Sequence, residues 1–195
     1  MKYHFVIGGQ GQVGSALVKL LQERFAVESI DKSESIQGRF DFVHIAIPWS
    51  KDFIKIVSKY KKYVKKPTGI LVIHSTVPIG VSAFLGAVHH PIRGTHPNLV
   101  EGIKTFVNYF GGEKAKEAAV PFQEMGIQCV TVGDSRNTEA LKLWDTTQYG
   151  LQILIEKGIH TFCETLDLDF DLVYTQANQT YNEGYEKLAK PQVRR

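Results

Sequence analysis

Residues 3–31 read YHFVIGGQGQVGSALVKLLQERFAVESID, and three features follow one another within them. An apolar run (Tyr3, Phe5, Val6, Ile7) enters Gly9-Gln10-Gly11-Gln12-Val13-Gly14, a helix-patterned run continues to Arg24, and a second apolar run ends at Asp31. Glycine lets a backbone approach a ligand closely, and a helix N-terminus presents unpaired N–H groups and a positive dipole end to an anion. A carboxylate about 20 residues downstream can accept hydrogen bonds from both hydroxyls of a ribose.

This order predicts a dinucleotide site. Gly9, Gln10, Gly11, Gln12, Val13 and Gly14 would cradle a pyrophosphate, and Asp31 would hold the ribose. The carboxylate of Asp31 repels a 2′-phosphate, so NAD is favoured over NADP, a preference softened by the neighbouring Lys32. Three glycines at this spacing also suit a plain tight turn between strand and helix, and it is the flanking strand, helix and acid that favour the cofactor.

The bulk properties narrow the remaining classes. With 195 residues and 43% hydrophobic content, the chain can bury one full core and a small appendage. A net charge of +3 does not point to nucleic acid, and the basic run Lys59, Lys61, Lys62, Lys65, Lys66 lies at the end of an expected helix, where it complements the dipole as a solvated face. Cys129 and Cys163 have neither metal-ligand nor disulfide-framework spacing. No metal is expected. There is no signal-like segment and no run of apolar residues long enough for a membrane span, so a cytoplasmic protein is expected.

Strand-like runs recur at 3–7, 26–30, 42–47, 70–74, 105–110 and 128–132, with helical patterns at 12–24, 51–63, 80–86 and 113–125. Ser50 is placed to cap the second helix and Gly126 to stop the last. Continuous apolarity implies strands covered on both faces, hence a doubly wound, largely parallel α/β sheet of Rossmann type over residues 1–134. Beyond it no strand pattern appears. Residues 137–164 read as one long helix and 172–189 as a second, together a small all-helical extension over 135–195.

Three further stretches carry a family resemblance. Ser75-Thr76-Val77-Pro78-Ile79-Gly80 follows the fourth strand, Pro97-Asn98-Leu99-Val100-Glu101-Gly102 comes next, and Glu139-Ala140-Leu141-Lys142 opens the long helix. In this order they resemble the UDP-glucose/GDP-mannose dehydrogenases, within the 6-phosphogluconate dehydrogenase-like group, over about residues 3–170. The resemblance implies a turn near the nicotinamide or substrate, with Ser75 beside the cofactor and Thr76 bonding substrate or an ordered water. Thr76 and Pro78 equally suit a helix N-cap and its first turn.

Glu139, Lys142 and Thr146 share one helix face, where the resemblance places a lysine and an asparagine at the reacting carbon. Lys142 is thereby the leading catalytic candidate, although an ordinary exposed helix lysine would look the same. The resemblance also gives Asn98 a catalytic part and makes His96, Glu101 and Thr146 substrate contacts. Three departures accompany it: Thr146 stands in the asparagine position, Asn98 replaces a glutamate with one residue missing before Glu101, and the thiol of a second oxidation has no counterpart. No counterpart of the domain that grips the sugar nucleotide is expected within these residues. A one-step alcohol–carbonyl reaction is what survives.

Pro48 and Trp49 resemble the family's turn over the adenine side of the cofactor, while packing alone also accounts for a tryptophan at a strand end. His89, His90 and His96 flank what reads as a short polar loop, similar to the His-Pro segment of prephenate dehydrogenase. A histidine there would relay a proton, and Arg93 would clamp an anion. His74, ending the fourth strand, either faces the cofactor or is an ordinary strand-end histidine. The expected function is an NAD-dependent oxidoreductase acting on a small hydroxylated or acidic metabolite. The alternative is a non-catalytic dinucleotide-binding sensor or subunit. Trp144, Tyr149, Leu151 and Ile155 on the long helix suggest a homodimer formed through it.

Overall fold

The computed structural model describes residues 2–31, 37–94 and 97–191. Lys32 and His96, named above, lie outside the described residues. The chain divides into two compact units, Met1–Leu143 and Trp144–Arg195.

In the first unit seven strands form one sheet: β1 (Tyr3–Ile7), β2 (Ala26–Ile30), β3 (Phe42–Ile45), β4 (Ile70–Ile73), β5 (Val88–His89), β6 (Asn108–Gly111) and β7 (Cys129–Val132). Their order is β2-β1-β3-β4-β5-β6-β7, parallel throughout except where β6 runs against β5. Alternate side chains point to opposite faces, and both faces are covered. On one face Phe42, Val72 and Phe110 pack under helices α1 (Gln12–Gln22), α4 (Leu99–Thr105) and α5 (Ala115–Glu124). On the other, Phe5, Val43, Ile45 and Ile73 pack under α2 (Phe53–Tyr60) and α3 (Val81–Phe84). The doubly wound, largely parallel sheet expected from the sequence is thus observed.

Two elements escaped the pattern. β5 has only two residues, and α4 carries Gly102 mid-helix, where helix propensity is poor. Packing explains the glycine, since a Cβ there would come within 2.6 Å of the Gly94 Cα. The strand expected at 105–110 begins later, at Asn108, because Thr105 ends α4. Gly126 does end α5, in the left-handed conformation with φ of 78°. The N-cap of α2 is Asp52 and not Ser50, whose carbonyl accepts from the Phe53 amide at 3.0 Å in the turn before it.

Residues 91–94 are irregular, as expected of a loop, but the histidines His89 and His90 before it are fully buried, His89 within β5. His90 belongs to a file of imidazoles crossing the sheet under α1 and α5, stacked on Phe110 and, at its far end, on Phe42. The Asn108 amide donates to the Ile103 and Phe106 carbonyls at 2.7 and 2.8 Å, so its oxygen accepts from His90 Nε2 at 2.8 Å. His74 Nδ1 lies 3.0 Å from the His90 carbonyl and must donate. His74 Nε2 then accepts from His44 Nδ1, and His44 Nε2 from His4 Nδ1, both at 2.9 Å. Neutral imidazoles satisfy this chain with His4, His44 and His74 protonated on Nδ1 and His90 on Nε2. Burial pulls His4 down to about 4 and His90 to about 3, and holds His44 and His74 well below the ordinary histidine value. His74 is therefore committed to the core rather than to a cofactor.

The second unit is helical. It continues α6 (Ser135–Leu166), the long helix expected over 137–164, and then a π-helical stretch, Asp171–Gln176, leads into α7 (Ala177–Lys187). No helix among the described residues is long and apolar enough to cross a membrane.

Candidate active site

The glycine loop is held from three sides. The Gly8 and Gly9 amides both donate to the Ile30 carbonyl, at 3.0 and 3.1 Å, and the Gly11 amide donates to the Gly8 carbonyl at 3.1 Å. A Cβ on Gly14 would lie 1.9 Å from the Gly8 carbonyl oxygen, and one on Gly9 would lie 2.7 Å from the Ser29 Cβ. Gly9 and Gly14 thus each answer a specific close approach between β1, β2 and α1. α1 opens at Gln12 with Gly11 as its N-cap, no side-chain cap and no acid in its first turn. Gln10, Gly11 and Gln12 are exposed, so the helix end and its amides face outward as an anion site requires.

The Ile30 carbonyl that anchors the loop precedes Asp31, which sets this half-buried carboxylate beside the glycines. Tyr60 of α2 faces it: burial first, then Tyr63 and the charge of Asp31, push the Tyr60 phenol up. Pro48 is exposed after β3, and Trp49 packs on Phe53 with ring centroids 5.2 Å apart while staying 42% exposed.

A second cluster forms where β4 and β5 meet the start of α6. The Ser75 hydroxyl donates to the Ile47 carbonyl, tying the 75–80 turn to the end of β3. Glu139, fully buried, accepts from the Gly80 amide at 2.6 Å and the Ser82 amide at 2.8 Å. It is this carboxylate, and not Thr76, that binds the opening amides of α3. Thr76 stays exposed in the turn.

His89 sits between the Ser75 carbonyl, 3.2 Å from Nε2, and the Thr138 hydroxyl, 3.0 Å from Nδ1. Burial lowers its pKa, against the opposing pull of the Ser75 carbonyl and Glu139, while Lys142 lowers it further. Lys142 itself is half-buried, and its ammonium donates to the Ile92 carbonyl at 2.9 Å. The first turns of α6 therefore deliver Thr138, Glu139 and Lys142 to one place, beside Ser75 and His89.

The other sequence candidates lie apart in the chain. Asn98 is the exposed N-cap residue of α4, and Glu101 is exposed in its first turn. α4 is joined to α1 by the Lys104–Glu23 ion pair at 2.9 Å. Thr146 is exposed and belongs to the second unit. Arg93 lies over the rings of Phe106 and Tyr109, at 5.9 and 5.6 Å from their centroids. Sequence reasoning did not assign Thr138 or the capping role of Glu139. The signal was the i, i+1, i+4 spacing of residues 138, 139 and 142 along a predicted helix face. Burial pushes the Cys129 thiol up to about 11, which suits no nucleophile. Among the described residues no three side chains converge as a metal site.

No family model and no curated protein matches the sequence. Solved structures do match. UDP-D-ManNAc dehydrogenase from Pyrococcus horikoshii superimposes with a TM-score of 0.77 at 13% identity, over 91% of this chain and 57% of that one. GDP-mannose dehydrogenase from Pseudomonas aeruginosa gives 0.74 at 12% identity, over 92% and 57%. An imine reductase variant from Myxococcus stipitatus, solved in complex with NAD+, gives 0.71 at 14% identity, over 97% and 74%. The chain thus has the fold of the nucleotide-sugar dehydrogenases that its motifs resemble, and spans somewhat more than half the length of the two named here.

Proposed function

We propose that this chain is an oxidoreductase that moves a hydride between NAD and a small hydroxylated or acidic metabolite. The observation that carries the proposal is the glycine loop: close-packed glycines, an outward-facing helix end without a cap, and Asp31 anchored beside it. The residues present fit a dinucleotide. Gly9 to Gly14 would hold the diphosphate, with Gln10, Gln12 and Val13 at its rim, and Asp31 the adenosine ribose, which disfavours NADP by charge. Pro48 and Ser75 border the same end of the sheet. When bound, nicotinamide supplies the hydride acceptor or donor.

The chain's own residues would handle the proton and the charge. An alcohol losing hydride must also lose its hydroxyl proton, and an ammonium beside that oxygen stabilises the negative charge that develops. Lys142 suits this role because the Ile92 carbonyl holds its ammonium and its charge reaches His89. Thr76, exposed in the adjoining turn, would orient the substrate, with Asn98, His96, Glu101 and Thr146 as further contacts. Lys142→Ala is expected to lower kcat by about 100-fold or more while leaving NAD affinity within about twofold. Screening the purified protein with NAD against hydroxy acids and sugars, then assaying the variant on the substrate found, checks this. Undiminished turnover would remove Lys142 from the chemistry, and NAD binding without turnover across the panel would favour the sensor or subunit alternative.

We further propose that two copies pair through α6. Within the second unit Trp144, Tyr149 and Leu154 are 69%, 65% and 66% exposed, an apolar display larger than scattered surface residues require. Sedimentation is expected to show a dimer, and Leu154→Glu to shift it to monomer. A monomer at every concentration would contradict the pairing.

A further inference from the structure

We infer that the first unit carries a second ligand site, on the sheet edge opposite the glycine loop, which takes a small organic phosphate with an apolar body. The strand directions place it there. β1 to β5 run one way and β6 and β7 the other, so the carboxyl ends of β6 and β7 meet the amino ends of β4 and β5. Ligands of α/β sheets gather beyond strand carboxyl ends, and a sheet with reversed strands has two such edges. One bears the glycine loop. The other holds a cavity of about 430 Å³, the size of a small-molecule site.

Its chemistry is amphiphilic. Leu71, Leu85, Ala87 and Val88 give apolar lining, and Lys61, Lys66 and Lys114 stand around it. None of these lysines is ion-paired among the described residues, and the Lys114 ammonium donates only to the Pro67 carbonyl, at 3.2 Å. Of the two acids present, Asp134 is engaged by Arg136 at 2.7 Å, which leaves Glu113 against three cations.

Two observations point to an anion. The ten-residue helix α5 opens on the cavity with Lys114 at its N-cap and no side-chain cap; Glu117 in the first turn complements the positive end of the dipole, and Lys114 opposes it. A bound phosphate reverses that penalty. Independently, Ser135, which also lines the cavity, is 2% exposed and its hydroxyl oxygen has no partner. A buried orphan hydroxyl costs stability, and turning the Ser135 side chain into the cavity would pair it with a phosphate oxygen. The apolar lining requires more of the ligand than inorganic phosphate offers.

Titrating the full chain with phenyl phosphate, followed by amide NMR shifts, tests the site. Shifts are expected at residues 114–117 and 133–135, with a Kd of about 0.1–1 mM, and inorganic phosphate should bind about tenfold more weakly. NAD should shift residues 9–14 instead. Lys66→Ala with Lys114→Ala, and separately Ser135→Ala, should each weaken phenyl phosphate about fivefold or more. Ser135→Ala should meanwhile leave the melting temperature of the free protein unchanged or raised, whereas a structural hydroxyl would lower it. Absence of shifts at 114–117 at about 10 mM ligand, or shifts confined to residues 9–14, overturns the site. Equal binding of the two phosphates overturns the organic body, and a lowered melting temperature with intact binding overturns the role of Ser135.

Discussion

Gly14→Ala is expected to abolish NAD binding, with an affinity loss of about 100-fold or more, equivalent to about 2.7 kcal/mol. The added Cβ would sit 1.9 Å from the Gly8 carbonyl oxygen, 2.7 Å from its carbon and 3.0 Å from the Gly9 Cα. All three neighbours are backbone, so no side chain can swing aside to relieve the contact. Either the loop moves or α1 tilts from β1, and both displace the amides that would meet the diphosphate. Overpacking of this kind costs about 1–3 kcal/mol of stability, so melting should fall by several degrees. Gly133→Ala, where an added Cβ meets nothing within 4 Å, is the control. A Gly14→Ala protein that binds NAD normally would show that the loop does not serve the cofactor.

Acidification should destabilise the protein steeply below pH 6.5. Five histidines, His4, His44, His74, His89 and His90, have native pKa values depressed below 6.5, each chiefly by burial. The unfolded chain therefore binds more protons below pH 6.5, and stability present above that pH is lost as pH falls towards the native values near 4 and 3. His4 and His90, whose native values lie near 4 and 3, each contribute about 1.4 kcal/mol per pH unit below 6.5, together about 4 kcal/mol between pH 6.5 and 5. His44, His74 and His89 act in the same direction, against a domain stability of about 5–15 kcal/mol. The tautomer chain adds a steric reason: a proton on His44 or His74 Nε2 would point one N–H at another, breaking bonds at 2.9 Å. Denaturant titrations at pH 7, 6 and 5 check the slope, and equal stability at all three would contradict it.

The sequence was most readable where one physical requirement set the residue. Gly14, the run from Tyr3 to Ile7 and the stop at Gly126 were legible because close approach, two-sided burial and a left-handed backbone each select a narrow set of side chains. α4 was illegible for a tertiary reason: Gly102 exists to admit Gly94, a contact between segments that no local pattern records. The histidines misled because a polar side chain next to Pro91 normally marks a loop. Their burial depends on imidazoles from four neighbouring strand segments meeting across the sheet, His44 lying opposite Val6 and Val72 rather than opposite His4 or His74, which becomes visible only once the sheet order is known. In the site, Lys142 and Ser75 were found through motif order, whereas the grip of Glu139 on the Gly80 and Ser82 amides needed the fold.

Isothermal titration of the folded 195-residue chain with NAD at pH 7.5 tests the central claim most directly. The geometry of the glycine loop and Asp31 predicts saturable binding of one NAD per chain, with NADP weaker by about tenfold or more. No heat with either coenzyme, from protein whose circular dichroism shows the native α/β fold, would contradict it.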